Sequence, residues 1–344
     1  MIVARPAEAD AAAPPRPAHA SAREVVLRAD DVRKTFHLGF FRKRVEAVRG
    51  ISFTVERGEI FGFLGPNGAG KTTTLKMLMG LIFPTSGRVE ALGRAVPDRA
   101  AKRRIGYLPE TPYFYVYLTP EEFLDFAGAL CDVPTAPRRR RADELLRRVG
   151  LDHARGRPLR KFSKGMLQRI GIAQALMGDP EVVVLDEPMT GLDPLGRKDV
   201  RDLILELGRE GKTVLYSTHI LPDVEMTCDR VAIVVGGRLR SVGSLASLLS
   251  ARVLSTEIVL RPASSPAGRG GPPAGDGAGI PALPPGGRRL PGEGDVALEL
   301  PAGSDVDAFL RAAQAGGAGI VSVTPRRESL EDLFVREAQE KRDS

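Results

Sequence analysis

The chain has 344 residues, enough for two domains, and its 42% hydrophobic content supplies a sizeable core that is mostly aliphatic, with 5% aromatic residues and no Trp. A formal net charge of +7 suits nucleotides, nucleic acid or an anionic membrane surface, and is equally common in proteins with no such partner. Two distant cysteines, Cys131 and Cys228, argue against a disulfide framework and for a reducing compartment, and no run reaches the ~18 uncharged apolar residues of a membrane span.

Residues 1–22 read MIVARPAEADAAAPPRPAHASA. Pro6, Glu8 and Asp10 interrupt any apolar stretch, so the segment reads as a disordered Ala/Pro tail and not as a signal peptide. From 23 to about 250, short β-rich runs alternate with helical segments: ISFTV (51–55), IFGFL (60–64), VVVLD (182–186), TVLYS (213–217) and VAIVV (231–235). Continuous apolar runs of this length predict strands buried on both faces, as in a parallel α/β sheet. FFRKR (40–44) reads as the tip of a hairpin. TPEEFLDFAG (119–128) opens a helix, with Thr119 as cap, Pro120 at the first position and Glu122 at the third. PRRRRADELLRRVG (137–150) is a basic helix, with a solvated face favoured over contact with anionic lipid.

Residues 262–294 are Pro/Gly-rich without apolar periodicity and predict a flexible linker. Around them, residues 251–344 read as a small α+β accessory domain. It has strands at VLSTEIVL (253–260), VALELP (296–301) and IVSVTP (320–325), and helices at SDVDAFLRAAQA (304–315) and SLEDLFVREAQE (329–340). Ser304 with Asp307, and Ser329 with Asp332, have the spacing of capping boxes.

Chemistry is carried first by FGFLGPNGAGKTTTLKML (61–78), which matches G-x-x-x-x-G-K-[ST] after an apolar strand and before a helix. Gly65, Pro66, Asn67, Gly68, Ala69 and Gly70 would bend the backbone so that successive N–H groups converge on phosphate oxygens. Lys71 would reach the β- and γ-phosphates, Thr72 would ligate Mg²⁺, and Thr73 would complete the ATP-binding turn. In VVVLDEP (182–188), Asp186 ends a buried strand, where ligands of open α/β sheets sit, and would hold Mg²⁺. Glu187, beside it, is placed to act as general base on the attacking water.

With these motifs in place, residues 23–250 resemble the ATP-binding cassette family. GLDP (191–194) resembles its D-loop, with Asp193, and STH (217–219) its switch histidine, His219. KFSKGMLQR (161–169) lies upstream of VVVLDEP, where the signature belongs, and Phe36 falls where an aromatic stacks on adenine. The resemblance implies a P-loop NTPase core of α/β class with an antiparallel β subdomain and a helical subdomain. It also implies a head-to-tail pair of cassettes, a homodimer or a pair with another cassette subunit. ATP would be held between one subunit's Lys71 loop and the other's Ser163, Lys164 and Gly165. Three departures stand out: in the signature Lys164 replaces a Gly and Met166 a Gln, and Glu110 in GYLPE (106–110) replaces the Gln that touches Mg²⁺. The Glu form, the FSKGM signature and the SLEDLF segment resemble exporter ATPases of the drug, antibiotic and sodium-efflux type.

The resemblance further implies ATP hydrolysis coupled to a separate transmembrane permease at the inner face of the cell membrane, reached through the permease from the cytoplasm. Four of the five Tyr lie between 107 and 117, and this patch reads either as an interface to the permease or as local core. A soluble regulatory or assembly ATPase is the alternative. No aromatic-interleaved basic stretch suggests nucleic-acid binding. For Ser163 itself two readings stand side by side, a cap for its own helix and a donor to phosphate on another molecule.

Overall fold

Strands with no polar face need cover on both sides, and that requirement shapes the centre of the molecule. The computed structural model describes residues 24–39, 43–249, 253–262, 280–291, 295–327 and 329–339. The tail expected at 1–22, the tip residues Phe40, Phe41 and Arg42, and most of the expected linker lie outside the described residues.

The first sheet is antiparallel. β1 (Val25–Leu38) pairs with β2 (Lys43–Glu56) and with β4 (Ser86–Ala91), which pairs in turn with β5 (Arg94–Ala95). The β1–β2 register runs as far as Leu38 opposite Lys43, so Lys43 and Arg44 of FFRKR belong to β2. ISFTV belongs to β2 and not to a parallel strand. Ile51, Phe53 and Val55 are buried while Ser52 is exposed, the alternation of a strand with one buried face.

The central sheet has six strands in the order β10-β9-β3-β8-β7-β6. β3 (Ile60–Leu64), β6 (Ile105–Leu108), β7 (Val182–Asp186), β8 (Thr213–Thr218) and β9 (Arg230–Val235) run parallel, and β10 (Arg238–Ser244) is antiparallel to β9. β3, β7 and β8 are buried along their whole length. The register pairs Leu64 with Thr218 and Asp186 with Ser217, so three strands deliver their last residues to one level. That shared level is where the site is built.

Helices cover this sheet: α1 (Lys71–Leu78), α2 (Arg99–Lys102), α3 (Pro120–Leu130), α4 (Thr135–Arg148), α5 (Lys164–Leu176), α6 (Pro194–Arg209), α7 (Leu221–Thr227) and the short α8 (Leu245–Leu248). α3 begins with the expected reciprocal cap: Glu122 N–H donates to Thr119 Oγ1 at 3.3 Å, and Thr119 N–H donates to Glu122 Oε2 at 2.8 Å. α3, α4 and α5 bury Phe123, Leu145, Leu146, Ile170 and Leu176 against the central sheet's strands Val183 and Leu185.

The third sheet runs β12 (Arg288–Arg289), β13 (Val296–Pro301), β11 (Val253–Arg261), β14 (Gly319–Arg327). α9 (Val306–Ala315) closes a small core of Ile258, Leu260, Val296, Leu298, Leu300 and Phe309. Two expectations need correction here. Residues 280–291 are not bare linker, because β12 pairs with β13 and Ile280 and Leu283 pack on the small core. The cap of α9 is Asp305, whose Oδ1 accepts from Ala308 N–H at 2.8 Å; the Ser304 hydroxyl instead donates to Pro301 O, closing the preceding turn. Pro325 sits opposite Thr256 in β14, the last strand of this sheet's order, where proline is tolerated.

α10 (Leu330–Gln339) keeps the expected box between Ser329 and Asp332. It does not share the small core, however. Leu330 and Leu333 are buried in the main core near α7 and β9, and Leu330 N–H donates to Glu225 Oε1 of α7 at 3.2 Å.

Candidate active site

β3 ends at Leu64, and the loop 65–70 turns directly into α1. Gly70 caps that helix at φ 97 with no side-chain bond to its first turn, which leaves the N-terminal N–H groups available to an anion. A Cβ at Gly70 would lie 2.5 Å from Ala47 O, so only glycine fits. The loop opens into a cavity of about 270 Å³ lined by Ala47, Asn67, Gly68, Gly70, Lys71, Thr72, Thr73, Glu110 and Glu187. Gly65 and Ala69 brace it from behind, Gly65 N–H donating to Thr218 O at 3.2 Å and Ala69 N–H to Pro66 O at 3.1 Å.

Two clusters meet at this cavity. In the first, the Lys71 ammonium donates to Gly65 O at 2.8 Å and lies 3.0 Å from Glu187 Oε1; both side chains are 6% exposed. Glu187 Oε2 lies 2.9 Å from His219 Nδ1 and accepts from Thr190 Oγ1 at 2.7 Å. Glu187 adopts φ 51, a left-handed conformation that turns its side chain out of line with the strand ending at Asp186. Its N–H donates to Ser217 Oγ at 2.9 Å.

In the second cluster, Thr72 Oγ1 lies 3.2 Å from Asp186 Oδ1 and 3.3 Å from Glu110 Oε2. Ser217 Oγ donates to Asp186 Oδ1 at 2.6 Å. Burial pushes the Asp186 carboxyl above its usual range, while the Ser217 and Thr72 hydroxyls pull it back. Asp186 Oδ2 is buried and accepts no hydrogen bond among the described residues. An oxygen of that kind beside a hydroxyl and a second carboxylate suits a hard divalent cation that keeps other positions for phosphate and water, so the donor set fits Mg²⁺.

Other residues singled out by sequence lie elsewhere. Ser163 caps α5, its Oγ accepting from Met166 N–H at 3.3 Å, and is exposed together with Lys164. A Cβ on Gly165 would lie 3.6 Å from Leu192 Cδ2. The Lys164 side chain crosses Gly191, where a Cβ would lie 2.1 Å from its ammonium. Asp193 caps α6 by accepting from Gly196 N–H at 2.8 Å. None of these lines the cavity. Nor does Phe36, which stands opposite Val45 on β1 with the Lys34 ammonium 5.2 Å from its ring centre.

Sequence reasoning missed Thr190 and the Ser217 hydroxyl. Ser217 is signalled only by its place at the end of TVLYS, opposite Asp186 in the register. Thr190 is signalled only by standing three residues after Glu187 in a turn, where Thr190 N–H donates to Glu187 O at 3.2 Å.

Comparison with known proteins gives this site a family. A model described as "ABC transporter" matches residues 48–190. The uncharacterized ABC transporter ATP-binding protein sll0415 of Synechocystis is 44% identical over 319 residues, which is 92% of this chain and 85% of that one. The chain belongs to the ATP-binding cassette transporter family. As a member it is an α/β P-loop ATPase that binds and hydrolyses ATP. The bacitracin transport ATP-binding protein BcrA of Bacillus licheniformis is 44% identical over 197 residues, 56% of this chain and 63% of that one. Among solved structures, the dimeric cassette MJ0796, in a post-hydrolysis state bound to ADP and Pi, superposes with a TM-score of 0.59. It is 25% identical and covers 64% of this chain and 98% of that chain. Among the described residues no helix is long and apolar enough to cross a membrane.

Proposed function

We propose that the chain is the ATP-hydrolysing subunit of an export system, driving a separate membrane permease from the inner face of the cell membrane. The observation that carries this reading is the cavity lined by Lys71, Thr72, Glu110 and Glu187, with His219 in contact with Glu187 and Asp186 in contact with Thr72.

In this reading, loop 65–70 and Thr73 cradle the phosphates of ATP, Lys71 pairs with the β- and γ-phosphates, and Phe36 faces the adenine. Thr72, Asp186 and Glu110 would hold Mg²⁺, which when bound offsets the negative charge of the phosphates. Glu187 takes a proton from the attacking water as its oxygen bonds to the γ-phosphorus. The bond from that phosphorus to the bridging oxygen breaks, and the electron pair leaves with ADP. His219 steers Glu187 and the γ-phosphate together. Ser163 and Gly165 donate to the γ-phosphate held by a second cassette, with Lys164 beside them and Asp193 in the adjoining turn.

Residues 23–250 form the ATPase domain in this proposal, and 251–344 an accessory part whose last helix returns to the main core. The permease partner is supported by an exposed aromatic ladder. Tyr113, 88% exposed, meets Tyr115 edge to face at 6.3 Å, and Tyr115 meets Tyr117 and Phe126. Exposed aromatics grouped in this way suit the core of a protein interface. Export is supported by similarity to a Nod factor export ATP-binding protein, 38% identical over 205 residues.

Glu187→Gln tests the chemistry: turnover should fall on the order of 100-fold or more while nucleotide binding persists. A variant that hydrolyses ATP as fast as the unchanged chain removes Glu187 from the role of base. For the partner, Tyr113→Glu with Tyr115→Glu should abolish co-purification with the permease; retained binding rejects this surface.

A further inference from the structure

Among the described residues Glu187 has three polar neighbours on its carboxylate, and under the proposed reaction two of them have another task. Lys71 and His219 are both assigned to the γ-phosphate, so neither stays dedicated to Glu187 while ATP is bound. The third neighbour is Thr190, which no assignment above uses. Its Oγ1 donates to Glu187 Oε2 at 2.7 Å, the shortest of the three contacts at 2.7, 2.9 and 3.0 Å.

The two oxygens of Glu187 are not equivalent. Oε2 receives Thr190 and faces His219. Oε1 is buried, accepts no hydrogen bond among the described residues, and is approached by the Lys71 ammonium at 3.0 Å. A carboxylate anchored through one oxygen keeps its other oxygen free to accept a proton from water, in a direction fixed by the anchor. The anchor is local and stiff. Thr190 lies in the turn that follows Glu187, its own N–H donates to Glu187 O at 3.2 Å, and as a β-branched residue it has few χ1 choices. Without it, a Glu in a left-handed backbone conformation would have three side-chain torsions to settle whenever Lys71 and His219 turned to phosphate.

We propose that Thr190 is the positioning residue of this ATPase, holding Glu187 through Oε2 so that Oε1 faces the water. The proposal rests on the reading of Glu187 as general base. Thr190 does not line the cavity and acts through the Glu187 carboxylate.

The test uses the full chain in its assembled, ATP-hydrolysing form, with turnover and fluorescent-ATP binding measured for Thr190→Val, Thr190→Ser, Glu187→Gln and the double variant Thr190→Val with Glu187→Gln. Valine keeps the shape and removes the hydroxyl. It should lower kcat about tenfold or more, the usual weight of a hydrogen bond to a charged group, with KM and ATP affinity within about twofold. Serine restores the donor and should recover most of the turnover. In the Glu187→Gln background the valine change should add little, because a residue acting only through the Glu187 carboxylate has nothing left to position. Equal fractional losses in the two backgrounds overturn the proposal, as does a serine variant as slow as the valine one, or a valine variant that loses ATP binding in step with kcat. Undiminished turnover in Glu187→Gln alone instead removes the base on which the proposal stands, whatever Thr190 does.

Discussion

The cavity at the ends of the parallel strands and the exposed start of α5 are the two surfaces that the proposed reaction assigns to ATP, and they are built in opposite ways. Around the cavity, functional side chains are buried and interlocked. Lys71 and Glu187 are each 6% exposed, and Ser217 ties Asp186 to the backbone of Glu187. At α5, Ser163 makes one capping bond, Lys164 reaches over a glycine, and a Gly165 side chain would begin 3.6 Å from Leu192 Cδ2. A group that must be ready before nucleotide arrives benefits from bonds within its own chain. A group that acts on another molecule must keep its donors exposed, so a single chain presents it as an ordinary helix start.

This contrast can be broken by experiment. The largest effect is expected from Lys71→Ala, which should weaken ATP binding by a single chain on the order of 100-fold or more, measured by fluorescent-nucleotide titration. Ser163→Arg should leave that single-chain affinity within about twofold while cutting turnover of the assembled complex at least about tenfold. Equal damage to single-chain binding by the two variants would erase the distinction. Turnover unchanged by Ser163→Arg would remove the trans role.

Smaller effects sharpen a second contrast, between helices that seal the main core and helices that seal the small one. Leu330→Ala removes a fully buried side chain from the main core and should cost about 2–5 kcal/mol in denaturant unfolding. Asp305→Ala removes only the cap of α9 and should cost about 1 kcal/mol. Ser304→Ala, whose hydroxyl caps nothing, should cost less than that. A larger loss for Ser304→Ala than for Asp305→Ala would return the cap to Ser304.

The parts legible in the sequence were those where one physical need dictates several neighbouring residues. Loop 65–72 spells out its glycines, lysine and threonine because, in the proposed site, phosphate demands them together, and VVVLD reads as buried because both its faces are covered. The boxes at Thr119 and Ser329 are reciprocal, so each carries two letters of signal. ISFTV misled because its serine and threonine look mild in a five-residue run, and only the neighbouring strands reveal one wet face. Ser304 and Asp305 are adjacent residues with equal capping chemistry, and Pro301 decided between them by taking the serine hydroxyl. Thr190 and α10 were hidden for another reason. Each matters through a partner chosen by the fold, Glu187 in one case and Glu225 with the core beside α7 in the other.

The docking of α10 bears on how the protein is made. Leu330 and Leu333 fill the main core beside α7, a helix that starts two residues after His219. A ribosome must therefore release residues through Leu333 before that core can close. Until then the segment carrying His219 is backed by an incomplete wall. Any ATPase fragment trimmed at residue 250 keeps the same gap permanently, and a nascent chain passes through it on the way to becoming active.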